Sequence, residues 1–420
     1  MPSANNEAIE ERLNELLTPA VFGQMSYYRE LGMRSRILGL PLMIAAVLTI
    51  LWRQVPSVHE LTRLLAREDL LWCKAVKVSQ QALSERFLVF PAVLFERVYK
   101  ALLPALKARW AQRQRPLPAS IEVAREHFAN IWAVDGSALE ALFRKLDALK
   151  DVPTGKLAGK MCLVIDLLRQ LPVELWFHEQ AAAFDTNFIP QILALVTNKT
   201  LLILDRGFYD FQFFADLIAK GAHFITRLKS NAKIDLICHL SATPKVRDQL
   251  IYLGSGQNGA PILKVRRIEV LVSGRWHRYV TSVLDPQLLP PFVVADLYRR
   301  RWRHPEGSRD AFNTTKRLLN LSYLWTGSVN GIQLQIWATW LFYAVLVDLG
   351  DAVADELSLP FDRISLEMLF RGFFHFITAF NKGLASDPVT YFAAPENQDL
   401  GVVKRIRDKI PLLDLSPFPI

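Results

Sequence analysis

Cysteine is scarce. The 420 residues hold three, Cys73, Cys162 and Cys238, odd in number and far apart, with no CxxC pair. That argues against a disulfide framework and a structural zinc site, and it fits a reducing compartment. Eight histidines are scattered without metal-ligand spacing. Missing as well are the GxxxxGK[ST] phosphate loop, HExxH and GxSxG, which removes the common signatures of P-loop nucleotide binding, zinc proteolysis and serine hydrolysis. Long hydrophobic runs are absent too. The longest, Ile37 to Trp52, has 16 residues and contains Pro41, short of the roughly 20 that span a bilayer, so a buried core helix and no membrane partner are expected. The first residues, MPSANNEAIEERLNEL, are acidic and polar, unlike a secretory signal.

What remains is an ordinary globular composition, 51% hydrophobic and 22% charged, long enough for two or three domains. The net charge of +9 is uneven. Residues 1–120 carry 16 basic and 10 acidic side chains, and Arg299 to Arg317 carry seven basic and two acidic. Such concentrated positive charge points to a phosphate backbone, with solvated helix faces as the alternative.

Residues 1–115 carry helix-period apolar patterns. Ser57-Val-His-Glu60 has capping-box spacing, Ser79 is placed to cap a second helix through Arg86, and Pro91 suits the first turn of a third. These helices, with Lys74, Lys77, Gln80, Gln81 and Arg86 near their ends, fit either a DNA-reading bundle or a helical packing module. Gln112 to Pro118, polar, basic and punctuated by proline, reads as a linker. Beyond it, strands alternate with helices, as in a mixed α/β domain. Strands are expected at Ile131–Asp135, Lys160–Leu167, Pro172–Phe177, Thr200–Asp205 and Ala222–Lys229, with helices at 188–196 and 211–220. Residues 230–285 read as a β-rich insertion, with a hairpin at Ser273-Gly274. Helices return at 293–303, 310–319 and 332–349, and one more follows from Asp362. The expected domains are an all-helical N-terminal domain at 1–117, an α/β domain at 118–350 and a helical tail at 351–420.

Two carboxylates stand out. Asp135 and Asp205 each end an apolar strand and are closely followed by glycine. Most strand-end aspartates cap a helix or face water. Two in one α/β domain can instead share an edge and bind a hard cation such as Mg²⁺, which takes a few carboxylate oxygens and keeps several waters. Two such ions about 4 Å apart can drive phosphoryl transfer.

Three motifs in order, Trp132-Ala-Val-Asp135-Gly-Ser-Ala-Leu-Glu140, Leu204-Asp205-Arg-Gly-Phe208, and Leu297-Tyr298-Arg-Arg-Arg301-Trp-Arg303 followed by Asp310 to Lys316, resemble those of DDE transposases of bacterial insertion sequences, in the insertion-sequence-four branch. The resemblance runs from about residue 30 to 350. It implies a ribonuclease-H-like mixed sheet core. It also implies two Asp and one Glu holding two Mg²⁺ ions (Mn²⁺ as a substitute), and cutting of element ends followed by joining to target DNA. Asp135 and Asp205 match the first two carboxylates. Tyr298, Arg301 and Lys316 match residues that hold DNA phosphates, and Arg299, Arg300 and Arg303 add backbone contacts. Tyr298 and Arg301, three apart, share a helix face. The resemblance further implies double-stranded DNA as partner, both inverted repeats and target, a homodimer in the DNA complex, and a cytoplasmic, nucleoid-associated location. In related transposases an aromatic at the position of Trp276 stacks an extruded base; an ordinary strand tryptophan is the alternative.

The third motif departs from the pattern of Tyr, two residues, Arg, three residues, Glu, six residues, Lys. Between Tyr298 and Lys316 there are four residues too many, and the Glu position falls on Pro305 or Arg309. Glu306 is the best substitute for the third metal ligand, with Asp310 or a lost ligand as alternatives. Pro305 and Gly307 argue for a local break in the helix, since they cost about 3 and 1 kcal/mol relative to Ala in a helix interior. A DNA-binding relative with impaired cleavage is the second functional expectation.

Overall fold

The computed structural model describes residues 7–34, 36–138, 159–180, 182–272, 274–301, 311, 314–315, 319 and 328–403. Residues cluster into two units. One unit comprises Met1–Pro116, Glu140–Leu157 and Ala311–Lys404, and the other Leu117–Leu139, Ala158–Asp310 and Arg405–Ile420.

The described part of the first unit is helical. Before residue 116 it holds α1 (Glu7–Phe22), α2 (Met25–Glu30), α3 (Leu40–Trp52), α4 (Val58–Arg67), α5 (Gln80–Val89) and α6 (Val93–Gln112). The expected caps form. Ser57 accepts from the Glu60 amide and Ser79 from the Ala82 amide, each relieving an orphan donor of the first turn. The apolar run is α3, buried along nearly its whole length. A second apolar helix, α11 (Val329–Glu356), packs on α3 and α6. It is long and apolar enough to cross a membrane, yet 94% of its most apolar stretch is buried within the protein. It is therefore the core helix of this unit, and Trp337 and Trp340 belong to its packing. Two shorter helices, α12 (Leu366–Asn381) and α13 (Pro388–Ala393), close the described chain.

The segment that reads as a linker has anchored arginines. Arg113 donates to Asp351 (2.7 Å) and Asp348 (2.6 Å), and the buried Arg115 pairs with Asp351. The two carboxylates lie one helical turn apart on α11, which is why one short basic segment reaches both.

The second unit contains α7 (Ala119–Arg125) and one sheet of nine strands: β1 (Asn130–Ala138), β2 (Lys160–Asp166), β3 (Pro172–His178), β4 (Thr200–Leu204), β5 (His223–Arg227), β6 (Ile234–Thr243), β7 (Val246–Leu253), β8 (Leu263–Val272) and β9 (Arg275–Thr281). Their order is β3-β2-β1-β4-β5-β9-β8-β7-β6. β1 is antiparallel to β2 and parallel to β4, and β4 is parallel to β5. Between residues 230 and 285 lie the four strands β6 to β9. They continue the same sheet, because β9 pairs with β5.

Strand alternation assigns the faces. Trp132, Val134, Cys162, Val164, Leu202 and Leu204 share one core with α8 (Ile189–Leu195) and α9 (Phe211–Ala219). The odd-numbered residues of β1 and β4 face the other side. Around that side, α7 contacts β1, and α10 (Pro291–Arg300) contacts α7, β5, β8 and β9.

Candidate active site

The parallel register of β1 and β4 places Val134 beside Leu204. One step further, the two strands reach Asp135 and Asp205, adjacent and on the face away from α8 and α9. The chain then turns sharply after β4. There Asp205 caps a 3-10 turn (Arg206–Phe208), its Oδ1 accepting the Arg206 amide at 2.6 Å.

The third partner arrives from α10. Arg301, the residue after this helix, has a fully buried side chain. Its Nη1 lies 3.3 Å from Asp135 Oδ1, and its Nη2 lies 3.2 Å from Asp205 Oδ1. Nη2 also lies 3.3 Å from the Tyr298 hydroxyl, and the guanidinium carbon sits 5.2 Å from the Tyr298 ring centre. The expected Tyr–Arg spacing on one helix face thus yields a stacked, hydrogen-bonded pair beside both carboxylates. Burial pushes the Tyr298 hydroxyl above its ordinary range, and the charge of Arg301 offsets part of that rise. The phenol is therefore neutral at physiological pH, able to donate a hydrogen bond as well as accept one.

Arg299 and Arg300, expected on DNA phosphates, are placed differently. Both are buried and both pair with Asp296, one helical turn back. Asp296 also accepts from the Ser120 hydroxyl at 2.6 Å, so this cluster ties α10 to α7. Burial alone would raise the Asp296 carboxyl, but Arg300, Arg299 and Ser120 outweigh it and hold the group at about 2. Three arginines in a row therefore divide their work by helix geometry: Arg301 reaches the sheet edge, and its two neighbours brace the helix. Glu306, Arg303 and Lys316, together with Pro305, Arg309 and Asp310, lie outside the described residues.

The two aspartates fit a divalent cation as oxygen donors, since both already direct an oxygen at one shared cationic group. Among the described residues no cluster of three or more His, Cys, Asp or Glu side chains forms a metal site.

One carboxylate at this edge has no motif to mark it in the sequence. Asp185 begins a 3-10 turn (Asp185–Phe188) that leads into α8. Its two oxygens occupy the space where Gly136 and Gly207 would each carry a Cβ. Lys160, at the start of β2, lies 2.7 Å from Asp185 Oδ1 and donates to the Ala183 carbonyl at 2.6 Å. Three residues before an expected helix, Asp185 looks like a capping residue, and only the glycines after Asp135 and Asp205 hint at something close behind them. The buried Cys162, opposite Gly136 in the β1–β2 register, has its thiol pushed up by burial and by the charges of Asp185 and Asp135. Both carboxylates thus lie within electrostatic reach of one thiol.

Two further features of the sequence have structural counterparts away from this edge. Trp276 on β9 has the Arg247 guanidinium over its ring at 4.6 Å. In the helical unit, Arg34, Arg36, Lys77 and Arg86 line a cavity with Ile37, Val78 and Val89. Arg86 there donates to the Leu38 carbonyl and the Tyr28 hydroxyl.

Residues 127–303 match the family model described as transposase DDE domain. The matched segment contains Asp135, Asp205, Tyr298 and Arg301, and it supports reading this part of the chain as a DDE transposase domain. No curated protein matches. Among solved structures, a piggyBac transposase synaptic complex with hairpin DNA, determined by cryo-electron microscopy, aligns with a TM-score of 0.37 and 11% identity, over 96% of this chain and 87% of that one. Residues 127–303 of the chain are thus similar to the transposase DDE domain.

Proposed function

We propose that this protein is a DNA transposase that cuts the ends of an insertion sequence and joins them to target DNA by two-metal phosphoryl transfer. The observation that carries the reading is the convergence of Asp135, Asp205 and Arg301 where the ladder between the parallel strands β1 and β4 ends. The strand order β3-β2-β1-β4-β5, with three antiparallel strands followed by two parallel ones, supports a ribonuclease-H-like core.

In this reading Asp135 and Asp205, with Glu306 as the third ligand, would hold Mg²⁺ or Mn²⁺. The bound ions would supply charge neutralisation at the phosphate and a more acidic water. Arg301 offers a planar fork that grips phosphate oxygens bidentately. Tyr298 holds that fork by stacking and by its hydroxyl. Lys316 and Arg303 add positive charge along the DNA backbone. Arg299 and Arg300 act from behind, keeping α10 against α7 through Asp296. The basic cavity of the helical unit is assigned to the inverted repeats. Two protomers pair the two ends, and the enzyme works in the cytoplasm on nucleoid DNA. The insertion-sequence-four branch is favoured by the order of the three motifs and by the β-rich insertion between the second and third.

The four extra residues before Lys316 favour one second reading, a relative that binds DNA but cleaves poorly. Incubation with DNA carrying the element's own ends and Mg²⁺ or Mn²⁺ separates the two. Nicked ends and joined 3′ products, lost in Asp135→Ala, support the transposase. Salt-sensitive binding without any cut strand supports the impaired relative.

A further inference from the structure

Behind the candidate site, on the opposite face of the sheet, a single side chain touches the residue after Asp135 on β1 and the turn after Asp205. Gly136 has the same strand parity as Trp132 and Val134, so it faces the α8 and α9 core, whereas Asp135 faces Arg301. The Cβ that Gly136 lacks would collide with Asp185 Oδ1, and the Cβ that Gly207 lacks would collide with Asp185 Oδ2. Neither glycine has positive φ. Their small size is therefore required by this contact and not by backbone conformation. Lys160 then fixes the carboxylate from the β2 side, held in turn by the Ala183 carbonyl. One carboxylate thereby links β2, Gly136 of β1, the turn after β4 and the 3-10 turn before α8. β2, β1 and β4 are consecutive in the sheet.

We infer that Asp185 is a positioning residue for the candidate metal site: wedged between Gly136 and Gly207 and clamped by Lys160, it sets the separation of the Asp135 and Asp205 carboxylates. This inference rests on the reading of those two aspartates as metal ligands. The physical reason is leverage. Asp135 immediately precedes Gly136, and Asp205 lies two residues before Gly207. A cation shared by two carboxylates needs their oxygens closely spaced, and the parallel β1–β4 ladder ends at Val134 and Leu204, beyond which β1 is paired with β2 and no longer with the β4 side. A carboxylate touching both Gly136 on β1 and Gly207 in the turn after β4 spans that gap, and its charge pair with Lys160 holds it there.

The test uses the full chain and Mn²⁺ alone as probe, with affinity read by titration calorimetry and by the electron paramagnetic resonance of free Mn²⁺. Folding is followed separately by circular dichroism and thermal melting. Asp185→Ala empties the wedge and is expected to bind Mn²⁺ about 10- to 100-fold more weakly, the range seen when residues that orient metal ligands are removed. Asp185→Asn keeps the shape of the wedge but loses the charge pair with Lys160, so it is expected to recover part of that affinity, which a merely destabilising lesion would not do. If Asp185→Ala does not fold, Gly207→Ala reads the same contact from the other side. Its new Cβ displaces Asp185 and is expected to weaken Mn²⁺ binding to a similar extent.

Wild-type affinity in a folded Asp185→Ala or Gly207→Ala, alongside loss of binding in Asp135→Ala, would overturn the positioning role and leave the metal reading intact. Mn²⁺ binding that Asp135→Ala and Asp205→Ala leave unchanged would instead overturn the metal reading, and this inference with it.

Discussion

Arg301 Nη2 and Asp205 Oδ1 lie 3.2 Å apart although the residues are 96 positions apart in sequence. The same guanidinium reaches Asp135 through its other nitrogen. Truncating it leaves two neighbouring carboxylates without their shared cation. Arg301→Ala is expected to lose about 1–3 kcal/mol of stability, typical for hydrogen bonds to charged groups. Added Mn²⁺ should raise the melting temperature of this variant more than that of the wild type, because the ion takes the place of the guanidinium. Equal shifts would mean that Arg301 and the metal do not share a site. Arg301→Lys should not restore DNA cleavage, since an ammonium cannot span both carboxylates or grip a phosphate bidentately.

Asp296 predicts an acid-sensitive brace. Its carboxyl is held at about 2, below the usual 3.8, by Arg300 and Arg299 against the opposing effect of burial. A depressed folded-state value means that the stabilisation is fully present above pH 4 and is lost as the pH falls toward 2. A shift of this size corresponds to about 2 kcal/mol. In urea unfolding, the difference between wild type and Asp296→Asn should shrink by about that amount between pH 5 and pH 2, and a pH-independent difference would contradict it.

The insertion carries its own buried ion pair. Arg266 on β8 and Asp248 on β7 are fully buried and joined by two hydrogen bonds of 2.7 and 2.6 Å. Arg266 also donates to the Leu289 carbonyl at 2.7 Å, just before α10. Asp248→Ala leaves a buried guanidinium without its carboxylate and is expected to cost about 3–5 kcal/mol. The double variant Arg266→Met/Asp248→Leu should be far less destabilised, because no buried charge remains. Chemical denaturation of the two variants checks both. Similar losses in the two would point to packing volume as the cause.

Much of this architecture is legible in the sequence because it follows from local chemistry. Ser57 and Ser79 announce their helices by side-chain oxygens that only an N-terminus can use, and the glycine after Asp205 marks the end of β4, whereas β1 runs on through Gly136 to Ala138, so Asp135 does not end its strand as expected. What fails to show has physical causes as well. β6 lies at the sheet edge, exposed on both faces and with two register shifts, so its residues have no reason to alternate. Arg113 and Arg115 look like linker charge because their partners, Asp348 and Asp351, lie more than two hundred residues away. Arg299 and Arg300 are indistinguishable from Arg301 by composition; helix phase alone turns them toward Asp296. Asp185 carries no motif, and its contacts are with atoms that two glycines lack.

Single-turnover cleavage of DNA bearing the element's ends, measured for wild type, Asp135→Asn and Asp205→Asn in Mn²⁺, tests the pairing of these two carboxylates most directly. Each substitution keeps the shape and removes the charge. Both variants should lose cleavage by about three orders of magnitude or more, equivalent to at least about 4 kcal/mol of barrier, while binding the same DNA within a few-fold. Cleavage retained in either variant would show that the cutting site lies elsewhere in the protein.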